Sequence, residues 1–180
     1  MNTSDFDFQP TLVGDLIALR PLTADDFEPL YAAASDPLIW EQHPDPLRYQ
    51  RDRFEADFFA GAVASRSAFV VTENATGKVT GSSRYYEWNP TTQEVAIGYS
   101  FLARSHWGGA FNRDMKQLML RHAFCWAKVV WFHIGADNWR SRKAIEKIGA
   151  RYSHGAVKVI HGVEHPYAYY RMDSPSSLAL

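Results

Sequence analysis

Three apolar segments, SAFVVTE, KVTGSSRYYEW and QEVAIGYSFL, fill residues 67 to 102 and are separated only by NATG and NPTT. β-Branched and aromatic residues suit a pleated, half-buried strand, and Asn, Pro and Gly suit the tight turns between such strands. Connections this short join antiparallel neighbours only. The middle of the chain is therefore an antiparallel meander, and everything else must pack on its faces or extend its edges. LIALRPL, from Leu16 to Leu22, reads as a strand ahead of it, followed by a helix in TADDFEPLYAAASD with Thr23 as its cap. RDRFEADFFAGAVA reads as a second amphipathic helix, reached through IWEQHPDPLRY, which reads as an ordered loop near the surface. After the meander come a helix, a buried strand in VVWFHIGAD, a helix in NWRSRKAIEKIGA ending at Gly149, and a hairpin in VKVIHGVEHPYAYYRM turning at Gly162.

With 180 residues, 46% of them hydrophobic, the chain can bury one sizeable core. One domain over 1–180 is expected, with residues 1–10 as a flexible start and 173–180 as a tail. Nineteen Lys and Arg against twenty Asp and Glu leave a net charge of -1, without the basic excess of a nucleic-acid binder. The only cysteine is Cys125, so no intrachain disulfide can form, and within the apolar helix it reads as packing rather than as a nucleophile. The polar start MNTSDFDFQP lacks a signal-peptide core and no apolar run is long enough to span a membrane, so a cytoplasmic location is expected.

The helix after the meander begins in SHWGGAFNRDMKQLMLRHAF. Met115, Leu118, Met119, Phe124 and Trp126 recur at helical spacing and dock it. A helix start carries unpaired N–H groups and partial positive charge, and glycines leave the approach open. Gly108 and Gly109 thus mark either an anion cradle or an ordinary strand-to-helix turn. No Lys-Ser or Lys-Thr follows them, which excludes a P-loop, and the dinucleotide fingerprint lacks its later glycine. In the later helix Asn138 reads as the N-cap, and Asn138, Ser141, Ile145 and Ile148 fall on one stripe.

AIGYSFLARSHWGGAFNRDM together with ADNWRSRKAIEKIGARY resembles the GNAT superfamily of N-acetyltransferases, in particular its ribosomal-protein N-terminal acetyltransferase (RimJ/RimL-type) branch. LIALRPLTADDFEPLYAAASD also looks like that family's first strand and helix. The resemblance implies an α/β (α+β) fold with a mostly antiparallel, centrally splayed sheet flanked by helices. It implies acetyl-CoA as co-substrate, with pyrophosphate on the backbone amides around Trp107, Gly108, Gly109, Ala110, Phe111 and Asn112. Phe101 and Leu102 would pair with the pantetheine arm, and Asn138, Ser141, Arg140 and Lys143 complete the cofactor set. The basic face of Arg140, Arg142, Lys143 and Lys147 is otherwise a solvated helix surface.

The chain departs from the family pattern at four places, one of them Ala96, directly before IGY, where relatives often carry the acid. Ser105 stands where Gln or Arg usually opens the pyrophosphate motif, and Ala110 replaces its second glycine. Ile145 stands where many relatives carry the tyrosine that protonates the thiolate. Ser141 takes that role in the related branch, or else it is a structural serine; Tyr85, Tyr86 and Tyr99 are the alternative donors. By strand alternation Glu94, Ala96, Gly98 and Ser100 share a face, which makes Glu94 either the general base or an exposed carboxylate.

The expected reaction is direct acetyl transfer from acetyl-CoA to a primary amine, of a protein N-terminus or a small molecule. A catalytically silent acyl-CoA-binding module is the different-class alternative. Trp40, His43, Tyr85, Tyr86 and Trp88 read as walls of an acceptor pocket or as core. His161 and His165 flank a turn without a third ligand, and no metal is expected. Tyr167, Tyr169 and Tyr170 offer an edge for a possible homodimer. Nucleic acid and membrane are not expected partners, and Gly109→Ala is expected to be nearly silent.

Overall fold

The computed structural model describes residues 6–175. Its strands β1 (Leu12–Val13), β2 (Ile17–Pro21), β3 (Ala68–Glu73), β4 (Val79–Asn89), β5 (Glu94–Leu102), β6 (Val129–Gly135), β7 (Arg151–Ile160) and β8 (Val163–Asp173) form one sheet. Their order is β1-β2-β3-β4-β5-β6-β8-β7. The expected meander is present as β3, β4 and β5, antiparallel throughout. Among the sheet's neighbours only β5 and β6 run parallel, and they pair over a short stretch, Glu94–Ala96 against Val129–Trp131. Beyond it the two strands diverge, so the sheet splays at its centre.

Each face of the sheet carries helices because alternate strand residues on both faces are apolar. One face packs α4 (Ala110–Ala123) and α5 (Trp139–Lys147), with Tyr85, Val95, Ile97, Met115, Met119, Phe132 and Ile145 in one buried cluster. The Tyr85 hydroxyl donates to the Met119 carbonyl at 2.6 Å, tying β4 to α4. The opposite face packs α1 (Phe27–Ala34), α2 (Arg51–Phe54) and α3 (Ala60–Ser65), with Leu30, Trp40, Phe54, Phe58, Val70 and Phe101 in a second cluster. The second predicted helix is thus α2 and α3 joined by a π-helical turn, Glu55–Phe59. That extra residue per turn brings Phe54, Phe58 and Phe59 inward together.

Several expectations change. The 39–49 segment is only partly a surface loop: Glu41, Pro46 and Leu47 are exposed, but Ile39, Trp40, Asp45 and Arg48 are buried. Trp40 Nε1 donates to the Ala34 carbonyl at 2.8 Å, while Arg48 Nε faces Asp45 at 3.6 Å as an ion pair without a hydrogen bond. Residues 1–5 of the expected flexible start lie outside the described residues, but Phe6 is in the core against Tyr85 and Trp88. At the other end 176–180 lie outside them. Helix α4 stops at Ala123, so Phe124 and Trp126 pack from the following turn, and Cys125 there is exposed rather than packed. Tyr170 is fully buried and cannot form an edge; the edge strand is β7, where Tyr152, Val157 and Val159 are exposed.

Candidate active site

Strand β5 does not alternate along its whole length. Its register to β4 slips between Ser82↔Phe101 and Arg84↔Gly98. Tyr99 and Ser100 therefore both face Ser83, and Tyr99 takes φ +51°. This bulge overturns the expected common face. Glu94, Ala96 and Gly98 point away from α4, whereas Ser100 joins Val95 and Ile97 on the α4 side, where its hydroxyl meets Lys116. Gly98 has its own reason to lack a side chain, since a Cβ there would come within 2.8 Å of the Tyr86 ring.

Between the splayed strands, α4 and α5 lies a cleft of about 870 Å³. Phe101, Leu102, Trp107, Gly108, Gly109, Asn112, Asn138, Arg140, Ser141 and Lys143 all line it. Ala110 and Phe111 do not: Phe111 turns its ring to His106 and the core, leaving only its backbone near the helix start. Among the described residues no carboxylate lines the cleft, while Arg113, Arg140, Lys143 and Lys147 do. Such a cavity is an electrostatic trap for a polyanion.

Gly108 and Gly109 take φ +107° and +110°, and a Cβ on either would meet no protein atom within 4 Å. Their first necessity is conformational, because an L side chain is strained at that φ whatever the space. Gly109→Ala is accordingly not a silent change. Asn138 caps α5 as expected, its Oδ1 accepting from the Ser141 N–H at 3.1 Å. The Ser141 hydroxyl has no hydrogen-bond partner among the described residues, against the structural-serine alternative.

Arg140 is engaged with protein. Its guanidinium donates to the Ile39 carbonyl at 2.8 Å and to Glu41 at 3.2 Å, and its N–H donates to Gln42 Oε1 at 3.1 Å. Glu94 sits where β5 and β6 are still paired and accepts from Trp131 Nε1 at 3.2 Å; it does not line the cleft. Tyr85, bonded to Met119, and Trp88, packed on Phe6, are core residues rather than acceptor walls. Trp40 and His43 do line the cleft. Burial first, then the Arg48 charge, push His43 down to about 3, so it is neutral at physiological pH.

Some site residues were missed. Arg113, in the first turn after the glycines, was passed over as a helix residue. Lys116 carried a legible signal: Lys116, Met119, Leu120 and Ala123 fall at i, i+3, i+4 and i+7, which puts a lysine in the buried arc of α4. It is 4% exposed, its Nζ donates to Ser100 Oγ at 2.6 Å, and burial pulls its pKa down to about 7. On the other face, Arg84 is 8% exposed, stacks 4.1 Å over Tyr99, and has a buried Nε without a partner. Burial, and with it the nearby Arg48 charge, pulls its guanidinium below the usual value. Asp45, Asp57 and His161 converge closely enough to hold a cation. Arg53 and Arg48 already face Asp45, however, so the cluster is a charge-paired clasp.

A family model described as acetyltransferase (GNAT) domain matches residues 17–151. No curated protein is a significant match. Among solved structures, a GCN5-related N-acetyltransferase from Brucella melitensis superposes with a TM-score of 0.81 at 21% identity, covering 94% of this chain and 81% of that one. RimJ of Mycobacterium smegmatis, in complex with CoA-disulfide, gives 0.71 at 14% identity, over 92% and 88%. A spermidine N-acetyltransferase from Vibrio cholerae, in complex with CoA and spermine, gives 0.66 at 17%, over 88% and 95%.

Proposed function

The chain belongs to the acetyltransferase (GNAT) family and is an N-acetyltransferase, and we propose that its central cleft binds acetyl-CoA for direct transfer to an amine carrying an anionic group. The observation that carries the donor assignment is a cleft without a carboxylate, opened by the glycine-led start of α4 and rimmed by Arg113, Lys143 and Lys147. The backbone amides from Gly108 to Asn112 would hold the pyrophosphate, and those cations the remaining phosphate charge. The backbone of Phe101 and Leu102 would pair with the pantetheine arm. The Leu102 carbonyl already accepts from Trp107 Nε1 at 3.0 Å, and Phe101 is paired with Ser82 of β4.

For transfer, thioester and amine must be held in attack geometry, a strand N–H must meet the developing oxyanion, and the thiolate must be received. Ser141 offers a hydroxyl for the thiolate. Glu94 lies at the far end of β5, and as base it would act only through relayed water. An α-amine makes little demand on a base, since deprotonation at pH 7 costs about 1.4 kcal/mol for it and about 4.6 kcal/mol for a lysine amine.

The acceptor class is argued from Arg84 and Arg48. Both are buried with an unpartnered Nε, and Asp45, the carboxylate paired with Arg48, is shared with Arg53. A carboxylate on the acceptor would relieve that excess, whereas a polyamine would add to it. Among α-amines this favours an amino-acid-like metabolite or an acidic N-terminus, the latter in keeping with the RimJ/RimL-type branch. The same reading includes one domain, a cytoplasmic setting and a homodimer joined along β7; no helix among the described residues is long and apolar enough to cross a membrane. The test is release of CoA thiol from acetyl-CoA over glutamate, an aspartyl dipeptide, glycinamide and spermidine. Turnover favouring the first two is the expected result, and turnover favouring spermidine rejects the anionic acceptor.

A further inference from the structure

Lys116 lies buried in the middle of α4 and has no ion-pair partner among the described residues, burial being what lowers its pKa. Its Nζ meets the Ser100 hydroxyl on β5, which in turn meets the Ser83 hydroxyl on β4, and the Phe132 ring on β6 lies 5.7 Å from Nζ. An ammonium group stripped of water and left without a counter-ion is costly, and proteins place such groups where a shifted pKa is used. Ser100 is the only link from Lys116 to the cleft that a hydrogen bond provides among the described residues.

The hydroxyl geometry gives the link a direction. Ser100 Oγ has one proton and two lone pairs. Lys116 can only donate to it, at 2.6 Å, and Ser83 Oγ lies at 2.7 Å. With Ser83 donating as well, both lone pairs are filled and the Ser100 proton is left for the Gly98 carbonyl, a long contact at 3.3 Å, or for a group in the cleft. Ser141, by contrast, has no donor behind it to replace a proton it gives up.

We propose that Ser100 is the catalytic acid of acetyl transfer, backed by Lys116 as the positioning residue that restores its proton. As the C–S bond of the tetrahedral intermediate breaks, the sulfur takes the Ser100 proton and Ser100 Oγ takes one from Lys116 Nζ. The amine is thereby acetylated, CoA leaves as the thiol, and Lys116 remains as a neutral amine. The proton lost by the attacking amine goes to solvent, from which Lys116 is recharged in the next cycle. The burial-lowered pKa of Lys116, about 7, lies below that of an ordinary thiol near 8.5, so the relay toward sulfur is downhill, and recharging of Lys116 from solvent is close to balanced near pH 7.

The inference rests on the acetyl-transfer reading, so wild-type thiol release with the best acceptor of the panel is the control that tests that reading by itself. Lys116→Met keeps the length and removes the proton. It should lower the single-turnover rate about 10- to 100-fold while CoA affinity by calorimetry changes less than about threefold. Ser100→Ala should match it, and the double variant should be no slower than either. Wild-type rate should fall above about pH 7 relative to Lys116→Met, whose profile should follow only the acceptor amine. A second readout needs no turnover: the Lys116 side chain, followed by NMR, should titrate near 7 and respond to added CoA. A Ser100→Ala enzyme at full rate overturns the relay even if Lys116→Met fails to fold. So does a Lys116 that titrates near its ordinary value, or a loss of rate explained wholly by lost CoA binding.

Discussion

The guanidinium of Arg140 lies 4.2 Å over the indole of Trp107, joining the start of α5 to the segment before α4 across the mouth of the cleft. Because the same side chain holds Ile39 and Glu41, its charge is already used within the protein. Arg140→Ala should therefore lower thermal stability, by about 1–2 kcal/mol, and free the 39–49 segment for proteolysis. Arg113→Ala and Lys143→Ala should leave the melt unchanged and weaken CoA binding about 5- to 10-fold, an effect that shrinks with added salt. Calorimetry at two salt concentrations, beside thermal melts, separates the two groups.

At Gly109, φ +110° makes two substitutions informative. Gly109→Ala should cost about 1 kcal/mol of stability through the backbone alone. Gly109→Glu should cost a similar amount of stability and far more CoA affinity, because its carboxylate would stand at the entrance of a cleft that has none. An unchanged CoA dissociation constant in a folded Gly109→Glu protein would remove the helix start from the donor site.

Lys116 also predicts how stability depends on pH. Its pKa is about 7 in the fold against 10.5 when solvated. Between those values the unfolded chain binds a proton that the folded one does not, so stability rises with pH from about 7 to about 10.5. The slope from this one group is at most about 1.4 kcal/mol per unit. Denaturant unfolding at pH 7 and pH 9 should show that gain in wild type and its loss in Lys116→Met. Equal slopes in the two proteins would mean that Lys116 is solvated in the fold.

Ser141→Ala should reduce the rate modestly, by about tenfold or less, with CoA affinity retained, because on the proposed mechanism its hydroxyl is one of two that could meet the thiolate. Asn138→Ala should instead cost about 1 kcal/mol of helix stability through the lost cap to the Ser141 N–H. Chemistry-limited turnover and melts of both variants distinguish the roles.

Arg84→Met should raise KM for an acidic acceptor at least fivefold while leaving that for glycinamide nearly unchanged, since only the former brings charge for the unpartnered guanidinium. Initial rates with the two acceptors measure the ratio. A uniform loss for both would make Arg84 a structural residue.

The meander, both cleft helices and the Asn138 cap were legible because period, turn chemistry and capping are local properties of the chain. Gly108 and Gly109 were legible as a helix start, but their φ angles are a property of the path the backbone takes, which composition does not record. What escaped is set by single-residue departures from period. Tyr99 carries no local sign that it is an extra residue, so Ser100 was placed on the face of Glu94. The π-helical turn around Phe58 is equally silent in sequence. Burial within 39–49 escaped for another reason: Asp45 and Arg48 look like surface residues until they pair with each other and with Arg53 and Trp40.

The bulge at Tyr99 has a consequence for how such a protein can change over generations. One inserted amino acid is looped to the Arg84 side of the sheet, while Ser100 and every position after it keep the orientation that the shorter strand would give them. A deletion at this codon would strip the aromatic lid from Arg84 and leave the Lys116 side untouched. On the proposed acceptor reading, gain or loss of a single codon would retune what the enzyme accepts without disturbing what it carries, so that the two properties would be inherited separately along one strand.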